Sequence, residues 1–166
     1  KKILAQSFLG IANPNSLPFK TSDNRGLSFV SKNDLSSKFP QIGELPETQK
    51  EVENTAKALN VSVSKILSGK IATEKNLREA LKDTYDIIMF STHGLTANQL
   101  YRGSEAALVL SSSADGDNNI SDNDGFLSAS EIIDFDLSGT KIVILNACNT
   151  AKGRGTNAPG LTGLGQ

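Results

Sequence analysis

Lys141-Ile142-Val143-Ile144-Leu145-Asn146-Ala147-Cys148-Asn149-Thr150 is the stretch on which the fold turns. Its centre is uniformly apolar and does not alternate with polar residues. A strand of that kind is expected to be buried on both faces, as strands of parallel sheets are when helices cover both sides. A second run, Asp86-Ile87-Ile88-Met89-Phe90-Ser91-Thr92-His93-Gly94, has the same character.

Outward from these two runs, the remaining elements alternate. Phe8-Leu9-Gly10-Ile11-Ala12 reads as a short buried strand stopped by Asn13-Pro14-Asn15. Pro46 suits a first helical turn, and Val52, Ala56 and Leu59 fall on one face of a helix over 47–59. Val61 to Leu67 alternates as a strand does, and Thr73 is a good N-cap for a helix carrying Leu77, Ala80 and Leu81. Ala106–Leu110 reads as a short strand of a hairpin. Ser128-Ala129-Ser130-Glu131 is a capping box opening a short helix. This order predicts an α/β domain: a mostly parallel central sheet, helices on both faces and right-handed crossovers.

Residues 14–45 are rich in Ser, Asn, Pro and Gly and read as an irregular insertion within a single domain spanning 1–166. The glycine-rich stretch after Cys148 contains neither a dinucleotide fingerprint nor a phosphate-binding loop, so a nucleotide reading fails. It reads as a mobile loop. The chain opens without Met, and its last residues, Gly160-Leu161-Thr162-Gly163-Leu164-Gly165-Gln166, read as the start of a helix. A piece of a longer protein, truncated on its C-terminal side, is the expectation.

At 166 residues the chain is long enough to bury a core, and 37% hydrophobic with 21% charged residues fits a globular protein. No 18-residue apolar run or signal-peptide pattern is present, so no membrane contact is expected. One cysteine excludes an internal disulfide and suits a reducing, cytoplasmic setting. The net charge of −1 conceals an asymmetry: Gly103 to Thr140 holds eight acidic residues and no Lys or Arg. Without a basic stripe, nucleic acid is disfavoured as a partner. The acidic stretch from Glu105 to Asp136 predicts preference for a cationic substrate, against the plainer reading of a solvated loop.

His93 and Cys148 are the sole histidine and cysteine, and each closes one of the two apolar runs. An imidazole can take a proton from a thiol and leave a nucleophilic thiolate. Ligands of open α/β sheets bind in the crevice beyond the carboxyl ends of parallel strands. A base and a nucleophile at two such ends predict one active site, and a thiol peptidase is the chemistry they can perform. Taken alone, a cysteine at a strand end is most often a small buried hydrophobe. A zinc site competes less well, because one Cys and one His fall short of the usual ligand number.

The order of Leu45-Pro46-Glu47-Thr48…Glu51-Val52, Phe90-Ser91-Thr92-His93-Gly94, Asp124-Gly125-Phe126-Leu127-Ser128-Ala129-Ser130-Glu131-Ile132 and Leu145-Asn146-Ala147-Cys148-Asn149-Thr150-Ala151 resembles a CHAT domain. These are caspase-like domains related to separase and often joined to tetratricopeptide repeats. Caspases place the nucleophilic Cys roughly 50 residues after the His; here the separation, 93 to 148, is 55. The resemblance implies a caspase-like α/β/α sandwich and a cysteine endopeptidase acting on protein or peptide substrates without a cofactor. It implies His93 and Cys148 as the dyad and the backbone N–H groups of Gly94 and Cys148 as oxyanion donors. It also implies cleavage after Arg or Lys and a regulatory partner region such as tetratricopeptide repeats, and Asn13 and Asn146 are expected as substrate-binding positions. Some basic-specific relatives carry Asp two residues before the Cys, where this chain has Asn146. Two rival functions remain in view: a catalytically silent interaction domain of the same fold, and a calcium-responsive module. The second rests on Asp122, Asp124 and Glu131 in a partial EF-hand pattern whose first position is Ile120.

Overall fold

The computed structural model describes residues 6–15, 44–98, 103–111 and 123–149, and within them six strands and three helices form an α/β domain. β1 (Ser7–Pro14), β2 (Val63–Gly69), β3 (Ile87–Leu95) and β6 (Ile142–Asn149) are parallel, in the order β2-β1-β3-β6. β4 (Ala107–Val109) and β5 (Phe126–Ser128) form an antiparallel pair. β1 pairs with β3 only as far as Ser91. On the edge that β1 leaves, β4 pairs antiparallel with Gly94 and Leu95. The sheet is therefore mixed, a correction to the mostly parallel sheet expected. The hairpin that makes it so is anchored on the last two residues of β3, just beyond His93.

The helices follow the local signals. α1 (Pro46–Ala58) has Pro at its first position, and Asn13 at the end of β1 braces its entry. The Asn13 Oδ1 accepts from the Leu45 N–H at 2.8 Å, and its own N–H donates to Thr48 Oγ1 at 3.0 Å. Asn13 has φ of 42°, a left-handed conformation that Asn tolerates better than most residues. α2 (Glu74–Ala80) is capped by Thr73, whose hydroxyl accepts from Asn76 N–H at 3.1 Å. α3 (Ala129–Ile133) carries the reciprocal capping box of Ser128 and Glu131.

Two apolar clusters lie on opposite faces of the sheet. Val52 and Ala56 of α1 pack with Phe8, Ala12, Ile87 and Met89, and with Ile142 and Ile144. Leu77 and Ala80 of α2 pack with Leu9, Ile11, Ile88 and Phe90, and with Leu145 and Ala147. The period-two alternation of strands thus sorts even from odd positions onto two helical layers. At Gly10, α1 comes so close that a Cβ there would lie 2.1 Å from Val52 Cγ1. Burial of β6 on both faces does not hold among the described residues: Val143 is 43% exposed, and β6 pairs with β3 alone. Among the described residues no helix is long and apolar enough to cross a membrane.

Candidate active site

β3 and β6 run in unbroken parallel register for eight pairs, from Ile87 with Ile142 to Gly94 with Asn149. The seventh pair is His93 with Cys148. Neighbouring strands are spaced about 4.8 Å apart, so the two positions are side by side near the carboxyl ends of their strands. Neither residue closes its strand, as the sequence pattern had implied. β3 continues through Gly94 to Leu95 because β4 supplies pairing there, and β6 continues to Asn149 because β3 does. His93 is 4% exposed. Next to it, Thr92 points its hydroxyl at the Val109 carbonyl of β4, 2.5 Å away. Gly94 is buried and lies between β4 and β6, paired with Leu108 and Asn149.

Two residues earlier in the register, Ser91 pairs with Asn146. Both side chains reach the same carboxylate on α1. Ser91 Oγ donates to Glu51 Oε2 at 2.7 Å, and Asn146 Nδ2 donates to Glu51 Oε1 at 2.7 Å. Ser91 is fully buried, whereas Glu51 and Asn146 are exposed. Alternation continues this row on the α1 side: positions 87, 89, 91 and 93 of β3 stand beside 142, 144, 146 and 148 of β6. Asn146 is therefore in the row next to the proposed dyad. Asn13 lies at the tip of β1, with its side-chain oxygen held by the start of α1.

Glu51 and Ser91 were not singled out by sequence reasoning. A signal existed for Glu51, which adjoins Val52 on the border of the buried stripe of an amphipathic helix. Nothing local distinguishes Ser91 from any other strand serine.

The acidic stretch is largely occupied with local structure. Glu105 Oε2 accepts from Ser130 N–H at 2.8 Å, Asp136 Oδ1 accepts from Ser138 N–H at 3.0 Å, and Asp124 Oδ1 accepts from Phe126 N–H at 2.8 Å. Glu131 accepts from both the N–H and the hydroxyl of Ser128, and binds Arg78 Nη2 at 2.9 Å. Among the described residues no three His, Cys, Asp or Glu side chains converge as metal ligands. Asp122, the remaining calcium candidate, is outside the described residues, as are residues 16–43 of the 14–45 insertion and the glycine-rich stretch after Cys148.

A carboxyl group that the sequence did not flag lies beneath this stretch. Glu74, at the first turn of α2, has no solvent exposure, and its Oε1 accepts the Gly125 N–H at 2.8 Å. Arg78 stands 3.9 Å from Oε2, drawn instead to Glu131, so Oε2 has no hydrogen-bond partner. Burial above all, and then the nearby Asp124, push the Glu74 carboxyl up to about 8.

The model of the CHAT domain matches residues 3–166. No curated protein matches the chain.

Proposed function

Since the chain belongs to the CHAT domain family, a caspase-like, peptidase-related family, we propose that it is a cysteine endopeptidase whose base is His93 and whose nucleophile is Cys148. The observation that carries the reading is the register pairing of the only histidine with the only cysteine. Parallel neighbouring strands bring these two residues together at the sheet end where α/β folds bind ligands.

In the reaction, the imidazole accepts the thiol proton and the thiolate attacks the scissile carbonyl carbon. The carbonyl π electrons move onto oxygen, which the backbone N–H groups of Gly94 and Cys148 stabilise, each donor lowering the barrier by about 3 kcal/mol. The C–N bond then breaks, and the leaving amine takes the proton from the imidazolium. A water molecule, deprotonated by the neutral imidazole, attacks the thioester, and collapse returns the thiol and releases the new carboxylate. Gly94 suits this role because a side chain there would crowd the substrate backbone. The substrate is a protein or peptide cut after Arg or Lys. Another region of the same protein or a partner, such as tetratricopeptide repeats, controls access.

The test is mutational. Cys148→Ala abolishes cleavage of basic peptides, His93→Ala costs nearly as much, and the double variant is no worse than Cys148→Ala, because base and nucleophile act as a unit. Iodoacetamide at neutral pH labels Cys148 quickly in the parent protein and slowly in His93→Ala. Substantial turnover by Cys148→Ala would falsify the assignment. A slow-labelling, non-cleaving parent protein would favour the silent interaction domain instead.

A further inference from the structure

We infer that Glu51 is the specificity-determining acid that receives the basic side chain preceding the scissile bond, an inference that rests on the peptidase reading above. The position two residues before Cys148 holds an amide, Asn146, and so has no charge to offer a cation. What Asn146 does hold is a carboxylate: its Nδ2 donates to Glu51 Oε1, while Ser91 Oγ donates to Glu51 Oε2, both at 2.7 Å. Both donors are neutral, so they orient the carboxylate without cancelling its charge. The ion pairs among the described residues join Arg78, Lys82 and Lys141 to other acids, and none of them reaches Glu51. An ionised carboxylate has about four acceptor sites. Two are used here, leaving sites on an exposed residue for an ammonium or guanidinium group.

Position and rigidity agree with this role. The Ser91–Asn146 pair precedes the His93–Cys148 pair by two residues. At about 3.3 Å per strand residue, that is roughly 7 Å, the reach of an extended Lys or Arg side chain whose carbonyl lies at the nucleophile. Ser91 is fully buried, and α1 is seated on β1 at Gly10 through Val52, the residue after Glu51. The carboxylate is thus held from both dyad strands and from its own helix. Of the described acids of the 103–140 stretch, Glu105, Asp124, Glu131 and Asp136 are engaged in caps and turns instead.

The experiment separates recognition from catalysis by measuring peptide binding to the Cys148→Ala chain, with matched peptides ending in Arg or in its uncharged analogue citrulline. Arg binds at least about tenfold tighter, as expected for an oriented but partly solvated charge pair. Glu51→Gln brings the ratio close to one while citrulline affinity stays within about twofold, a pattern that loss of a purely structural brace would not produce. The swap Glu51→Gln with Asn146→Asp keeps the hydrogen bond and moves the charge across it. It restores the Arg preference, and it serves equally if Glu51→Gln folds poorly. An Arg preference that survives Glu51→Gln, no preference in the parent, or a swap that leaves Arg and citrulline equal overturns the inference. Absent cleavage by the intact dyad with a Glu51-dependent Arg preference would remove the peptidase reading and leave Glu51 as the acceptor of a basic side chain in a ligand that is bound but not cut. Cys148-dependent cleavage indifferent to Glu51 would do the reverse.

Discussion

Glu74 presents a carboxyl group without solvent contact, held by one backbone N–H and crowded by Asp124 and Glu131. With its carboxyl pushed up to about 8 from an ordinary value near 4.5, the folded chain holds a proton that the unfolded chain releases between those values. Stability contributed by the neutral acid is therefore full below about 4.5 and is lost as pH rises through about 8. Glu74→Gln mimics the neutral form and keeps an acceptor for Gly125. The stability of the parent relative to Glu74→Gln should fall with rising pH across this window, by up to about 1.4 kcal/mol per pH unit. Urea denaturation midpoints at pH 5 and pH 8 read it, and an equal difference at both would refute the claim. Residues such as this one were not legible in the sequence, whereas the placement of His93 and Cys148 near the ends of two neighbouring strands was. Those two are unique in composition; Glu74, Glu51 and Ser91 acquire their roles from partners 51, 95 and 40 residues away along the chain.

Among elements, α1 depends on a single missing side chain. A Cβ on Gly10 would lie 2.1 Å from Val52 Cγ1 and 3.0 Å from Phe8 Cε1, and Val52 is completely buried. Gly10→Ala should cost about 1–3 kcal/mol by overpacking. Val52→Ala in the same chain should recover part of that loss by removing the methyl that collides. A non-additive double-mutant cycle in chemical denaturation is the expected result, and a neutral Gly10→Ala would show that α1 is not seated there. The elements themselves were legible where their signals are local. Pro46, the Thr73 cap and the Ser128–Glu131 box act within three residues of their partners. The strand ends were not, because pairing with remote segments sets them: β3 runs on to Leu95 only where β4 meets it. β5 was missed as well, since Phe126-Leu127-Ser128 reads alone as a turn into a capped helix and becomes a strand through its pairing with β4.

For the whole molecule, the two most strongly shifted carboxyls, Glu74 and Asp86, sit at opposite ends of the sheet and bend stability in opposite directions. Asp86 precedes β3 and ties together the starts of three strands. Its Oδ2 accepts from the N–H groups of Gln6 and Ser7 at 2.6 and 3.1 Å, its Oδ1 meets Lys141 Nζ at 2.6 Å, and its carbonyl accepts from Lys141 and Ile142. The Lys141 hydrogen bond first, and the Gln6 N–H next, hold its carboxyl down at about 2. A depressed acid contributes stability above its unfolded value near 3.8 and loses that contribution as pH falls through about 2. Glu74, near the carboxyl end of β2, acts with the opposite sign at higher pH. These two groups therefore place a maximum of stability between about 4 and 5, with an acid limb from Asp86 and an alkaline limb from Glu74. Asp86→Asn should flatten the acid limb and leave the alkaline one, while Glu74→Gln does the reverse. Because the two sites share no partner, the double variant should show the sum of the single effects within about 0.5 kcal/mol. Denaturation midpoints from pH 2 to pH 9 on the four chains decide it. An alkaline limb unchanged by Glu74→Gln, or an acid limb unchanged by Asp86→Asn, would mean that other groups govern how this fold responds to protons.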